Sequence, residues 1–130
     1  MFEVRVEADF CAAHFLQNYH GKCENLHGHN YKVYAHVKGS SLNEGGILFD
    51  FSDFKKALRQ VCDSIDHTNL NDIADFYQNP SAERIAMYIF NKLLEQVPAL
   101  KKVENSRKPY LFAVDVYETA TSRARYIADL

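Results

Sequence analysis

An α+β fold, an antiparallel sheet with two helices on one face, is predicted by three features of this sequence. Two runs of apolar alternation follow one another near the start, over residues 2–14 and from about 27 to 38. Two stretches of helical spacing come next, and further alternation closes the sequence. Strands that are neighbours in sequence favour antiparallel pairing, so the order ββααββ places both helices on one side of the sheet.

In the first run Phe2, Val4, Val6, Ala8, Phe10 and Ala12 share one face, while Glu3, Arg5, Glu7 and Asp9 take the other. Successive strand residues point to opposite faces, so this is a half-buried strand, and His14 continues its apolar parity. Residues 16–26 contain Asn18, Gly21, Lys22 and Asn25 and read as a loop. The second run sets Tyr31, Val33, Ala35 and Val37 on one side. His27 and His29 share that parity, so both rings leave the same face. The turn-rich segment 39–46 leads to a helix carrying Phe54, Leu58, Val61, Cys62 and Ile65, with Ser52 as its expected N-cap. A loop over 66–72 follows. Asn79-Pro80-Ser81 then starts a second helix bearing Ile85, Ala86, Ile89, Phe90, Leu93, Leu94 and Val97, which Pro98 stops. Lys101 to Pro109 reads as a charged surface loop. Phe112, Val114 and Val116 mark a third strand with Glu118 on the same face, and Thr121 to Ile127 a fourth.

Composition narrows the function classes. One domain of 130 residues, 47% apolar and 13% aromatic, suits a folded protein and is short enough for oligomerisation to complete its burial. Net charge is −2 and no basic block exceeds two residues, so no nucleic-acid partner is expected. No apolar run reaches membrane-spanning length, and the opening MFEVRVEADF is too charged for a signal peptide. Three unevenly spaced cysteines argue against a disulfide framework and for a reducing, cytoplasmic setting.

The chemistry concentrates around His27-Gly28-His29, with Cys23 upstream and His14 arriving from the first strand. Three neutral imidazoles that leave a fourth position open describe a catalytic zinc, although Fe²⁺, Co²⁺ or Ni²⁺ suits the same ligands. The bland alternative is three unrelated surface or core histidines. Cys23 has two functional readings. It closes a structural Cys-His₃ site, or it stands free as a thiolate made acidic by a nearby dication; an inert loop cysteine is the third option. Cys11, on a strand, and Cys62, on a helix stripe, read as inert. Asp66-His67, just past a helix end, is a candidate acid–base pair, set against the ordinary frequency of both residues at helix ends. Glu118 on an apolar strand face needs a partner such as a planar fork of N–H donors, unless the strand simply reaches solvent there.

Ala12-Ala13-His14, Cys23-Glu-Asn-Leu-His27-Gly-His29-Asn30-Tyr31, Leu48-Phe49-Asp50-Phe51, Asp66-His67-Thr68-Asn69-Leu70-Asn71, Asn79-Pro80-Ser81-Ala82-Glu83 and Glu118-Thr-Ala-Thr-Ser122 occur in this order. Together they resemble the family of 6-pyruvoyl- and 6-carboxy-tetrahydropterin synthases over nearly the whole sequence. The resemblance implies zinc held by His14, His27 and His29, and a proton-abstracting Cys23 served by Asp66 and His67. It implies Glu118 as anchor of a pterin ring. Glu83 is carried over with Ala82 standing where relatives often have a hydroxyl residue. It further implies the tunnelling fold (T-fold), a homohexamer built as a dimer of trimers, and active sites between subunits. The Cys-x-x-x-His spacing resembles the 6-carboxy branch, which converts 7,8-dihydroneopterin triphosphate in queuosine biosynthesis. The alternatives are a 6-pyruvoyl-type lyase and a non-catalytic zinc- or pterin-binding module.

Overall fold

The computed structural model describes residues 1–17 and 25–127. Its elements are β1 (Phe2–His14), β2 (His27–Gly39), α1 (Phe51–Ile65), β3 (Thr68–Asn69), α2 (Ala82–Gln96), β4 (Tyr110–Thr119) and β5 (Ser122–Ile127). They form one sheet in the order β3-β1-β2-β4-β5, antiparallel except where β3 runs parallel to β1. Both helices contribute to a single core over one face, α1 packing on β1 and α2 on β4 and β5. The expected α+β arrangement is what forms.

Alternation dictates this layering. Tyr31, Val33, Ala35 and Val37 are completely buried against the helices, with Val6, Phe10 and Ala12 beside them on β1. Three local details depart from the expectations. Asp50, not Ser52, caps α1: its Oδ2 accepts from the Asp53 N–H at 3.0 Å, and the helix has begun by Phe51. The segment after α1 is no plain loop, since Thr68–Asn69 pairs with Ala12 and Ala13 of β1. Two short 3₁₀ turns, Leu70–Asp72 and Ala74–Phe76, follow it, and Leu70 and Phe76 are fully buried there. A two-residue bridge carries no periodic signal, so alternation could not announce it.

The third departure is in β4. Val37 pairs with Leu111 and His36 with Ala113, leaving Phe112 as the extra residue of a bulge. The parity therefore shifts, and Leu111 rather than Phe112 joins Val114 and Val116 in the core. Phe112 instead lies under the Lys38 ammonium, 3.5 Å from the ring centre. On that same helix-free face Asp115 is buried, taking the Arg125 Nε–H at 2.6 Å and facing His36 Nε2 at 2.7 Å.

At the end of β2 away from the histidines the Lys101–Pro109 loop folds back on the sheet. Arg107 O accepts from the N–H groups of Ser40 and Ser41. A Cβ at Gly39 would come within 2.9 Å of Pro109 Cα, so only glycine allows this approach. That loop belongs to the fold and lies at the opposite end of β2 from the histidines.

Candidate metal centre and active site

His14 ends β1 and His27 begins β2, and the register places them directly opposite, with His29 opposite Ala12. Directly paired strand residues approach one another within about 5 Å, so two strands deliver three rings to one spot on the core face. One ligand atom from each of the three lies within 4.8 Å of the others. The rings meet edge to face, 4.5–5.1 Å between centroids. Tyr31 floors the cluster, its ring stacked on Phe10 at 4.7 Å.

The tautomers follow from the backbone. His14 Nδ1 lies 2.8 Å from the Pro80 carbonyl and His27 Nδ1 lies 2.6 Å from the Asn25 carbonyl. A carbonyl only accepts, so each Nδ1 carries the proton and each Nε2 keeps a bare lone pair when neutral. Those two Nε2 atoms nevertheless face each other at 2.9 Å. Two acceptors with no proton between them repel, unless a cation takes both lone pairs. His29 Nε2 is buried beside them with no hydrogen-bond partner among the described residues. Burial lowers the pKa of His14 and of His29, and the neighbouring imidazoles add to it, so the rings favour the neutral form that ligates metal. These residues fit a divalent cation.

Glu118 joins them from β4. Its Oε1 stands 3.7 Å from His14 Nε2 and its Oε2 4.0 Å from His29 Nε2. The carboxylate is about a quarter exposed rather than fully buried. On its open side is a cavity of about 470 Å³ lined by Leu16, Ser81, Ala82, Glu83 and Glu118. Ser81 caps α2 by accepting from the Arg84 N–H, so the start of the helix forms one wall.

Asp66 and His67 form the expected pair, His67 Nδ1 to Asp66 Oδ2 at 2.8 Å. They dock on β1: His67 N–H donates to Cys11 O at 2.6 Å, and Asp66 Oδ1 accepts from Cys11 N–H at 2.8 Å. That backbone hydrogen bond, first, and the His67 partner hold the Asp66 carboxyl below its ordinary pKa. His67 adopts a left-handed backbone, φ 56°, and its ring is largely exposed. It borders a second cavity, about 580 Å³, together with Cys11, Ala13, Gly28, Asn30 and the triad's own His29. The pair and the triad thus meet at this cavity, through His67 and His29. Cys23 lies outside the described residues.

The 6-pyruvoyl tetrahydropterin synthase family profile matches residues 3–129. The chain belongs to this family. Several relatives are called 6-carboxy-5,6,7,8-tetrahydropterin synthase. The one from Synechocystis is 37% identical over 98% of this chain and 95% of its own length; the Bacillus subtilis one is 35% identical over 96% and 84%. The solved 6-pyruvoyl tetrahydropterin synthase of Caenorhabditis elegans superposes with a TM-score of 0.80 at 27% identity, covering 98% of this chain and 96% of that one. The architecture is that family's tunnelling fold.

Two residues at the site escaped sequence reasoning. The Tyr31 hydroxyl is buried under the triad with no hydrogen-bond partner among the described residues, and burial, then the charge of Glu118, pushes its pKa up. Asn71 is a buried hub beneath the segment that follows His14. Tyr31 reads as one more alternating core residue, and Asn71, though it ends the Asp66–Asn71 motif, is given no role there. Of the two described thiols Cys62 is buried in the core, its pKa pushed up to about 12 by burial, and Cys11 donates to Asn30 Oδ1 at 3.0 Å.

Proposed function

We propose that this protein is a zinc-dependent 6-carboxy-5,6,7,8-tetrahydropterin synthase, working as a single domain over residues 1–130. It converts 7,8-dihydroneopterin triphosphate and water to 6-carboxytetrahydropterin, acetaldehyde and triphosphate, in the 7-deazaguanine (queuosine) pathway of the cytoplasm. The carrying observation is the pair of bare Nε2 lone pairs 2.9 Å apart, with a third imidazole and a carboxylate alongside. The names of the Synechocystis and Bacillus relatives and the Cys23-x-x-x-His27 spacing support the 6-carboxy branch.

In this reading His14, His27 and His29 hold the ion through Nε2. Bound zinc supplies a Lewis acid and template for the hydroxyls on the substrate's propyl tail. Glu118 accepts the two N–H donors of the pterin's amino-pyrimidinone edge, while Glu83 borders the same cavity. Cys23 as thiolate removes a carbon-bound proton from that tail, and His67, oriented by Asp66, shuttles protons elsewhere along it. The protein works as a homohexamer with its sites between subunits. An open edge at β5, and one along β1 outside its two-residue pairing with β3, support such assembly, the β1 edge bearing Glu3, Glu7 and Asp9 and the β5 edge Arg123 and Arg125. No described helix is long and apolar enough to cross a membrane.

Incubating the zinc-loaded protein with dihydroneopterin triphosphate tests the proposal. 6-Carboxytetrahydropterin with equimolar acetaldehyde is expected. A 6-pyruvoyl product without acetaldehyde would move the protein to the pyruvoyl reaction, and zinc binding without turnover would make it a binding module.

A further inference from the structure

Where β1 ends, the backbone is gripped by residues to which the sequence motifs give no role in the metal centre. The Asn71 amide pairs with Phe15 as a strand backbone would: its Oδ1 accepts the Phe15 N–H at 2.8 Å and its Nδ2 donates to Phe15 O at 3.0 Å. The same Nδ2 donates to Gln78 O, also at 3.0 Å. Asn79 Oδ1 accepts the Gln17 N–H at 2.6 Å, and Pro80 O takes the proton of His14 Nδ1. Residues 78–80 thus run beside residues 14–17, and Asn71 ties the two segments together. The grip holds a costly conformation, because Tyr77 and Gln78 both have left-handed backbones, φ 50° and 65°. Asn71 is 4% exposed, so no water replaces its bonds.

We propose that Asn71 is a positioning residue of the histidine centre. It acts through Gln78 and Phe15 to keep the Pro80 carbonyl on His14 Nδ1, which fixes the tautomer and ring angle that aim Nε2 at the metal. Partners one step removed from a ligand do this by setting its protonation and orientation, and their loss weakens metal binding roughly ten- to a hundred-fold. Asn79 makes the outer part of the same grip. This inference rests on His14, His27 and His29 being the metal centre.

Asn71→Asp tests it, since a carboxylate of the same size still accepts the Phe15 N–H but cannot donate to the two carbonyls. Zinc affinity of the metal-free protein, measured against a competing chelator, should fall roughly ten- to a hundred-fold. The ¹⁵N shifts of His14 in the zinc-free protein should lose the Nδ1–H pattern. Leu100→Ala, a core truncation away from the triad, controls for destabilisation and should leave zinc affinity at the parent value. A folded Asn71→Asp protein with parent zinc affinity overturns the proposal, whatever its melting temperature. If that variant does not fold, Asn79→Ala decides: a several-fold loss of zinc affinity supports the grip, and parent affinity overturns it. Failure of the underlying reading looks different, because the parent protein itself would then bind no zinc, or would bind it as well after His27→Ala.

Discussion

His14 and His27 each commit one ring nitrogen to a backbone carbonyl, and that decides what the other nitrogen can do. With Nε2 bare on both rings and only 2.9 Å between them, two lone pairs repel, and a divalent cation between them would relieve that repulsion. His27→Ala leaves two imidazoles, too few for a three-histidine site, and elemental analysis should show most of the zinc gone. Cys23→Ala should behave in the opposite sense: full zinc content, no turnover. A joint loss would instead make the thiol a fourth ligand. Glu118→Gln should keep the fold and the triad, but one terminal atom of the amide is an NH₂ donor, so it cannot meet a parallel pair of N–H donors as a carboxylate does. Affinity for a pterin analogue should drop by roughly 1.5–3 kcal/mol, the usual worth of a hydrogen bond to a charged group. Equal affinity of parent and variant, by calorimetry, would remove the anchoring role.

Two elements carry consequences of their own. The cap of α1 is Asp50, so Asp50→Ala should cost about 1 kcal/mol in chemical denaturation, and Ser52→Ala much less. On the helix-free face Asp115 joins β2, β4 and β5 through His36 and Arg125. Burial by itself would raise the Asp115 pKa, yet the Arg125 and His36 hydrogen bonds outweigh it and hold the carboxyl below the ordinary carboxylate range. A depressed folded-state pKa contributes stability above the unfolded value, about 4, and that stability drains away as pH falls through the folded value. Parent stability should therefore decline below about pH 4, and Asp115→Asn, though less stable at neutral pH, should show a shallower acid slope. Equal slopes in thermal melts from pH 5 to 2 would exclude Asp115 as the responsible group. The bulge at Phe112 matters for the same face, since it turns an aromatic from the core toward Lys38. Alternation cannot reveal a bulge, because one inserted residue leaves the pattern looking continuous.

At the scale of the molecule, the proposed assembly is a homohexamer with sites between subunits. Light scattering should report about six subunits, and an active monomer would sink the intersubunit reading. Much of this was legible in the residues. Period-two and helical spacings determined the α+β class, the order of the main elements and the common face of His14, His27 and His29, because burial of one face is a local, repeating demand. The tertiary structure alone decided the tautomers of His14 and His27, the grip of Asn71 on Phe15 and Gln78, and the cavity that His67 shares with His29. Each of these depends on contacts made outside the periodic runs, between groups as far apart in sequence as His14 and Pro80. Periodicity records which face a residue takes, and never which distant carbonyl it will meet.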